Sequence, residues 1–195
     1  VKHHAAVPYK EISSVIRKLR EFNGFSSLAL EFMILTATRT GEVRGAKWQE
    51  IDLDNRVWTI PDDRMKTGKE HRVPLCLRAI NILNGFKSNR DPEDFVFIGG
   101  KIGKGLSDGA MLVLLKKMNI GIYTPHGFRS TFRDWAAEEA HQFSNETVEL
   151  ALSHTIKNKA EAAYRRGDQL ERRRELMNEW NKYIEKSLSK THANK

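Results

Sequence analysis

The stretch Val57-Trp-Thr-Ile-Pro-Asp-Asp-Arg-Met-Lys-Thr-Gly-Lys-Glu-His-Arg-Val-Pro-Leu75 is where the chain changes its hydrophobic period. Residues 57–60, 64–66 and 71–75 are short runs typical of β-strands. Between the last two runs, Thr67-Gly68 is a hairpin turn signal. The stretch therefore predicts a small three-stranded antiparallel sheet.

Helical spacing of apolar residues fills most of the remaining chain. One helix is expected to begin at Pro8 and to stop near Asn23-Gly24. A second helix, capped by Ser26, is apolar almost all round and is therefore expected to be buried. Further helices are predicted over residues 77–86, 107–118, 126–140, 145–153, 159–166 and 169–188, a helical turn over 42–47 and an extended run over 95–97. The fold class is α+β, mostly α-helical with one small sheet.

The composition favours a folded domain with a polyanionic partner. The 195 residues are 39% hydrophobic and carry a formal net charge of +8, and the sequence pI is about 9.6. Neutralising phosphates releases counterions, so nucleic acid is the leading candidate, although a merely basic protein fits the charge equally well. No apolar run of membrane-spanning length and no signal pattern occurs, which favours a cytoplasmic location. The single cysteine, Cys76, is expected to be a small buried hydrophobe.

Arg39, in Thr38-Arg-Thr-Gly-Glu42, follows directly after the buried helix, so its guanidinium is expected to stand on a rigid support. The planar fork of donors in a guanidinium matches two phosphate oxygens. Glu42 can brace Arg39, although an Arg–Glu pair at this spacing is also a common surface salt bridge.

His126-Gly-Phe-Arg129 begins the helix that follows Pro125 and supplies a second phosphate fork. The i, i+3 spacing predicts His126 and Arg129 on one helical face, one turn apart. His154 ends an apolar helix, where it can either contact a phosphate or satisfy the last carbonyls of that helix.

Lys66 and Tyr164 complete the candidate set. A lysine on a hairpin can protonate a leaving alkoxide, and Lys69 is a rival three residues away. A tyrosine hydroxyl can attack a phosphodiester and form a covalent ester, although a lone tyrosine on a helix is more often a packing residue. Together the six groups suit cutting and rejoining a nucleic-acid strand.

These motifs resemble those of the tyrosine recombinases, the phage integrase family, over roughly Pro8 to Tyr183, and they are closest to integrases of satellite phages, prophages and genomic islands. The residues that match the catalytic motifs of that family are Arg39, Lys66, His126, Arg129, His154 and Tyr164. Two departures from the family pattern concern the loop around these motifs and remove no catalytic group. Ser153 stands where glycine is common, and no threonine precedes Tyr164 by two or three residues.

The resemblance implies the catalytic-domain fold of that family and a site-specific DNA recombinase that needs no metal or other cofactor. Tyr164 would form a 3′-phosphotyrosine and release a 5′-hydroxyl, which a partner strand's hydroxyl later reverses. Lys66 would protonate the departing oxygen and His126 would assist proton movement at the tyrosine. The charge on the phosphoryl oxygens would be stabilised by Arg39, Arg129 and His154.

Residues 1–188 are expected to form the catalytic domain and 189–195 a flexible tail, and the arm-binding and core-binding domains of such integrases are expected to be missing upstream of Val1. The expected partners are double-stranded DNA attachment sites and accessory DNA-bending or excisionase proteins, and no membrane is expected. The chain is expected to form a homotetramer on DNA and to be a monomer or weak oligomer in the absence of DNA. Two alternatives remain open: a type IB topoisomerase-like enzyme and an inactive DNA-binding remnant. The last helix can cover either its own core or a neighbouring copy.

Overall fold

The structure is a computed structural model and describes residues 5–86, 91–154 and 167–189. Its strands are β1 (Ile51–Asp52), β2 (Val57–Ile60) and β3 (His71–Pro74). Its helices are α1 (Ile12–Leu19), α2 (Phe25–Thr36), α3 (Thr40–Arg44), α4 (Leu77–Asn84), α5 (Ala110–Lys117), α6 (Gly127–Glu139), α7 (Asn145–Ala151) and α8 (Leu170–Ser189). The predicted class, mostly α-helical with a small antiparallel sheet, is confirmed.

The sheet has the order β1-β2-β3 with antiparallel neighbours. Trp58 on β2 pairs with Ile51 on one side and with Val73 on the other. Trp58 is fully buried and its indole Nε1 donates to Glu50 at 2.9 Å. The central strand therefore anchors the sheet to the core.

The prediction of a strand over residues 64–66 is wrong. Residues Asp62–Arg64 form a 3-10 turn, and the amide of Gly68 donates to the carbonyl of Met65 at 3.0 Å. Arg64 turns inward, where its guanidinium contacts the Glu50 carboxylate and the Glu42 carbonyl. These side-chain contacts replace strand pairing, and the third strand is the two-residue β1.

Helix α2 runs through the core, as predicted. Its Phe32 is fully buried, with ring centroids 5.5 Å from Trp58 and 5.4 Å from Phe97. The helix begins two residues earlier than expected, with Gly24 rather than Ser26 at its N-cap. Gly24 has φ 108°, a backbone conformation that favours glycine.

Helix α8 packs against the core of its own chain. Trp180 and Ile184 are fully buried, and the Trp180 indole donates to the Ile34 carbonyl at 2.9 Å. The hydroxyl of Ser13 on α1 donates to the Ile184 carbonyl at 3.0 Å. Of the two alternatives for the last helix, this structure has the first.

Helix α1 begins four residues after Pro8, behind a 3-10 turn over Tyr9–Glu11, and ends four residues before Asn23. The other helices begin and end within three residues of the predicted bounds, but the helix expected over 159–166 lies outside the described residues. Cys76 is buried at the N-cap of α4, as expected. In the described parts of the chain, no helix is both long enough and apolar enough to cross a membrane.

Candidate active site

Arg39 lies between α2 and α3, where its guanidinium is held on two sides. Nη1 donates to Glu42 Oε1 at 2.8 Å, and Nη2 donates to the Ser153 carbonyl at 3.1 Å. Glu42 is buried, and its other oxygen accepts from the Arg39 amide at 2.7 Å. Glu42 therefore braces both the backbone and the side chain of Arg39.

Arg129, on the first turn of α6, is only 4% exposed. Its Nη1 donates to the Ala37 carbonyl and its Nη2 to the Leu152 carbonyl, while Nη2 also lies 3.2 Å from His154 Nε2. Its Nε has no hydrogen-bond partner among the described residues. Burial lowers the pKa of Arg129 to about 10, and the nearby charge of Arg39 acts in the same direction. The site therefore concentrates positive charge that a bound anion would offset.

His154 follows the end of α7 and is held by Glu149. Its Nδ1 lies 2.7 Å from Glu149 Oε2, and its amide donates to the Glu149 carbonyl at 2.9 Å. Burial lowers the pKa of His154 below its usual value, the Glu149 hydrogen bond raises it, and the charge of Arg129 lowers it. The net direction is downward, so the neutral imidazole is favoured at neutral pH.

Two residues with left-handed backbone supply carbonyls near the arginines. Ala37 has φ 52° and Ser153 has φ 50°. The Ala37 carbonyl accepts from Arg129, and the Ser153 carbonyl accepts from Arg39. The position where glycine is common thus keeps the conformation that favours glycine, at a cost of about 1 kcal/mol for a residue with a Cβ.

The structure brings Arg39, Glu42, Arg129 and His154 together, but it distributes the other predicted residues differently. Lys66 and its rival Lys69 are both exposed in the loop that joins β2 and β3, rather than on a strand.

His126 is exposed at the N-cap of α6, whereas Arg129, one turn later, is buried. Tyr164 lies outside the described residues. The catalytic roles of all six residues therefore stay predictions.

The sequence did not reveal two ionisable residues beside this cluster. Glu149 stands five residues before His154, and this spacing across a helix end was the available signal. His71 on β3 is buried, and its pKa is lowered to about 4 by burial, by the charge of Arg173 and then by that of Arg39. The β2–β3 hairpin therefore packs beside the arginines.

Asp168 joins the hairpin to the last helix. Arg72 on β3 and Arg173 on α8 both donate to its carboxylate, at distances between 2.7 and 2.9 Å. Hydrogen bonding to Arg72 and the charge of Arg173 lower the pKa of Asp168, although its burial, the largest single effect, raises it. The chain four residues after Tyr164 is thereby fixed beside the hairpin. Within the described ranges, no group of three His, Cys, Asp or Glu side chains could hold a metal ion.

Sequence comparison with known proteins decides the family. Residues 9–171 match the phage integrase family. This chain belongs to that family. The prophage integrase IntZ of Escherichia coli (strain K12) is 31% identical to it over 189 residues, which is 96% of this chain and 46% of that protein. The integrase of enterobacteria phage P4 is 29% identical over 208 residues, 97% of this chain and 47% of that protein. This phage integrase family member therefore spans about half the length of these relatives.

Solved structures of recombinases share the fold. The integrase from mycobacterium phage Brujita matches 91% of this chain and 57% of its own with a TM-score of 0.63 at 18% identity. A lambda integrase dimer bound to a COC′ core site matches 80% of this chain and 60% of its own with a TM-score of 0.59 at 19% identity. The predicted catalytic-domain fold of the tyrosine recombinases is confirmed.

Proposed function

We propose that this chain is the catalytic part of a site-specific DNA recombinase that cleaves and rejoins strands through a 3′-phosphotyrosine. One observation carries the proposal: the buried guanidinium of Arg129 donates to neutral carbonyls, and its Nε has no partner in the described part of the chain, with Arg39 and His154 beside it. Buried charge of this kind is stabilised by a counter-anion. A scissile phosphate supplies that anion.

The proposed reaction conserves bond energy in the protein. The Tyr164 oxygen forms a bond to phosphorus as the bond to the 5′-oxygen breaks. The tyrosine proton leaves with help from His126, and Lys66 donates a proton to the departing oxygen. Arg39 and the cluster around it stabilise the charge on the phosphoryl oxygens, with Glu42 as the support of Arg39.

The proposed partner is double-stranded DNA carrying an attachment site, which fits the net charge of +8. Related structures include a lambda integrase tetramer bound to a Holliday junction. For this chain we propose a homotetramer on DNA and a monomer or weak oligomer in the absence of DNA. The proposed location is the nucleoid in the cytoplasm, and the proposed further partners are accessory DNA-bending or excisionase proteins. Residues 1–188 form the proposed catalytic domain.

A suicide duplex tests the nucleophile. The protein and its Tyr164→Phe variant are incubated with a nicked duplex bearing an attachment-site core, and covalent adducts are separated on denaturing gels. We expect an adduct with the wild type and none with the variant, while Tyr183→Phe, the same change on α8, keeps it. An adduct that persists in Tyr164→Phe overturns the assignment. Joining to a second duplex is expected, and relaxation of supercoiled DNA without such joining would favour the topoisomerase alternative.

The leaving-group role distinguishes Lys66 from Lys69. We expect Lys66→Ala to slow adduct formation much more than Lys69→Ala. A substrate with sulfur at the bridging 5′ position leaves as a thiolate and needs no acid, so it should restore the rate of Lys66→Ala. A defect that persists with the sulfur substrate refutes the role of Lys66 as the acid.

A further inference from the structure

Glu149 on α7 holds both the backbone and the ring of His154. Its carbonyl accepts from the His154 amide at 2.9 Å, and its carboxylate Oε2 lies 2.7 Å from His154 Nδ1. The side chain of Glu149 is 17% exposed, against 39% for His154. A carboxylate therefore backs the histidine on the side away from Arg129.

The two neighbours of the imidazole agree on one tautomer. An ionised carboxylate only accepts hydrogen bonds, so Nδ1 must carry the proton toward Glu149. A guanidinium only donates, so Nε2, 3.2 Å from Arg129 Nη2, must present its lone pair. At rest, His154 is therefore a neutral Nδ1–H imidazole whose Nε2 accepts from Arg129.

This resting tautomer cannot donate to a phosphate. An oxygen of a bound anion that faces Nε2 meets a lone pair, and the only N–H of the ring is already engaged by Glu149. Uptake of one proton from water at Nε2 uses the lone pair that accepts from Arg129, so that hydrogen bond is given up and Nε2 becomes a donor. The Nδ1 hydrogen bond to Glu149 stays in place.

We propose that Glu149 is a positioning residue that fixes the tautomer of His154 and supplies the counter-charge when a phosphate oxygen draws a proton onto Nε2. The inference rests on the proposed function, because the anion it invokes is the scissile phosphate.

The charges around His154 come from α7 itself, from α6 and from the segment before α3. Arg129 on α6 and Arg39 before α3 oppose the imidazolium, whereas Glu149 favours it. Arg133 on α6 lies 3.0 Å from Glu149 Oε1, but that oxygen is without an aligned hydrogen bond in the described structure. Arg133 therefore offsets part of the charge of Glu149 by ion pairing at Oε1, while Oε2 faces the ring of His154 and supplies its counter-charge.

The tautomer is measurable without DNA. Nitrogen-15 shifts of the imidazole distinguish Nδ1–H from Nε2–H, and the signal of His154 is assigned by its loss in His154→Gln. We expect the Nδ1–H form in the wild type and a loss of that preference in Glu149→Ala. An Nε2–H tautomer in the wild-type protein overturns the proposal, and this measurement requires no variant of Glu149 to fold.

Glu149→Gln separates charge from shape. The amide keeps the size of the side chain but removes the negative charge, so the pKa of His154 should fall by about one further unit. At a fixed pH above that pKa, the imidazolium fraction then falls about tenfold. Glu146→Gln makes the same charge change one turn earlier on α7 and is expected to leave the titration of His154 in place. Equal effects of the two variants would refute the inference.

Adduct formation links this to the reaction. The alkaline limb of the pH–rate profile should move to lower pH in Glu149→Gln by the shift seen in the titration. In a His154→Trp background the indole donates without titrating, so Glu149→Gln should cost nothing further. A normal tautomer and titration with no adduct at any pH means that the proposed function fails while the role of Glu149 in setting the tautomer stands. If the adduct forms normally but His154 titrates in Glu149→Gln as it does in the wild type, the proposed function stands and the role of Glu149 fails.

Discussion

Replacement of Arg173 by methionine should weaken the fold and loosen the chain just after Tyr164. The Arg173 side chain is 1% exposed. It donates to the Asp168 carbonyl at 2.7 Å, to the Asp168 carboxylate at 2.8 Å and to the Arg72 carbonyl at 2.5 Å. Methionine fills much of the volume but offers none of these donors.

The magnitude follows from what the substitution leaves unpaired. Breaking a buried ion pair by removing one partner costs about 3–5 kcal/mol. Asp168 is 36% exposed and keeps its two hydrogen bonds from Arg72, so the cost is smaller. Burial also lowers the pKa of Arg173, which indicates that removing its charge recovers some desolvation. We expect the free energy of unfolding to fall by about 2–3 kcal/mol.

Urea unfolding measures this change. With an m-value of about 2 kcal/mol/M, the midpoint should fall by about 1 M or slightly more. Arg174→Met is the matched control, because Arg174 pairs with Glu171, which is 76% exposed, and its other contact is an exposed hydrogen bond to the Arg56 carbonyl at 2.9 Å. Exposed pairs of this kind contribute less than about 1 kcal/mol. Equal shifts in the two variants, or a shift below about 0.5 kcal/mol for Arg173→Met, refute the reasoning. Under the proposed function, Arg173→Met also forms the Tyr164 adduct more slowly.

Three further outcomes are expected. His71 has a folded pKa of about 4, against an ordinary value of 6.5, because burial and then the charge of Arg173 disfavour its imidazolium. The unfolded chain therefore binds more protons between these pH values, so the free energy of unfolding falls as pH falls, by up to about 3 kcal/mol. Urea unfolding of His71→Gln at pH 7 and 4.5 should lack this part of the loss. A loss in His71→Gln equal to that of the wild type contradicts the prediction. Ser153→Gly relieves the strain of a left-handed residue at the cost of chain entropy, whereas Ser153→Val adds the strain of a β-branched side chain. Thermal unfolding should therefore show the glycine variant to be more stable than the valine variant by about 2 kcal/mol. Equal stabilities of the two variants refute the strain. Trp180→Ala should lower the free energy of unfolding in urea by about 3–5 kcal/mol, since it empties a fully buried site and removes the donor to the Ile34 carbonyl. A decrease below about 1 kcal/mol would contradict the packing of α8 against its own chain.

The local pattern of apolar residues in the sequence was sufficient to predict most of the helices. Apart from α3, which has five residues, each carries apolar residues at helical spacing over about two turns or more, so its period is readable without knowledge of its partners. The same pattern failed at residues 64–66, because Arg64 leaves the expected strand to contact Glu50 and the Glu42 carbonyl. It also missed β1, since a two-residue strand has no period to detect.

The sequence by itself determined the identities and order of the candidate groups, since Arg39, His126, Arg129, His154 and Tyr164 stand in motifs with recognisable spacing. It also determined the basic charge that suits a polyanion. These properties belong to the covalent chain and need no fold.

Only the tertiary structure decided how the groups are held. The Ser153 carbonyl meets Arg39 across 114 residues, and the Leu152 carbonyl meets Arg129 across 23. Contacts across such separations depend on the packing of distant segments, for which a local pattern carries no signal. Glu149 is only five residues before His154, but its role also needed the fold, since a carboxylate can fix a tautomer only at hydrogen-bond distance from the ring. The sequence therefore indicated the chemistry, while the fold set the geometry and protonation that the chemistry requires.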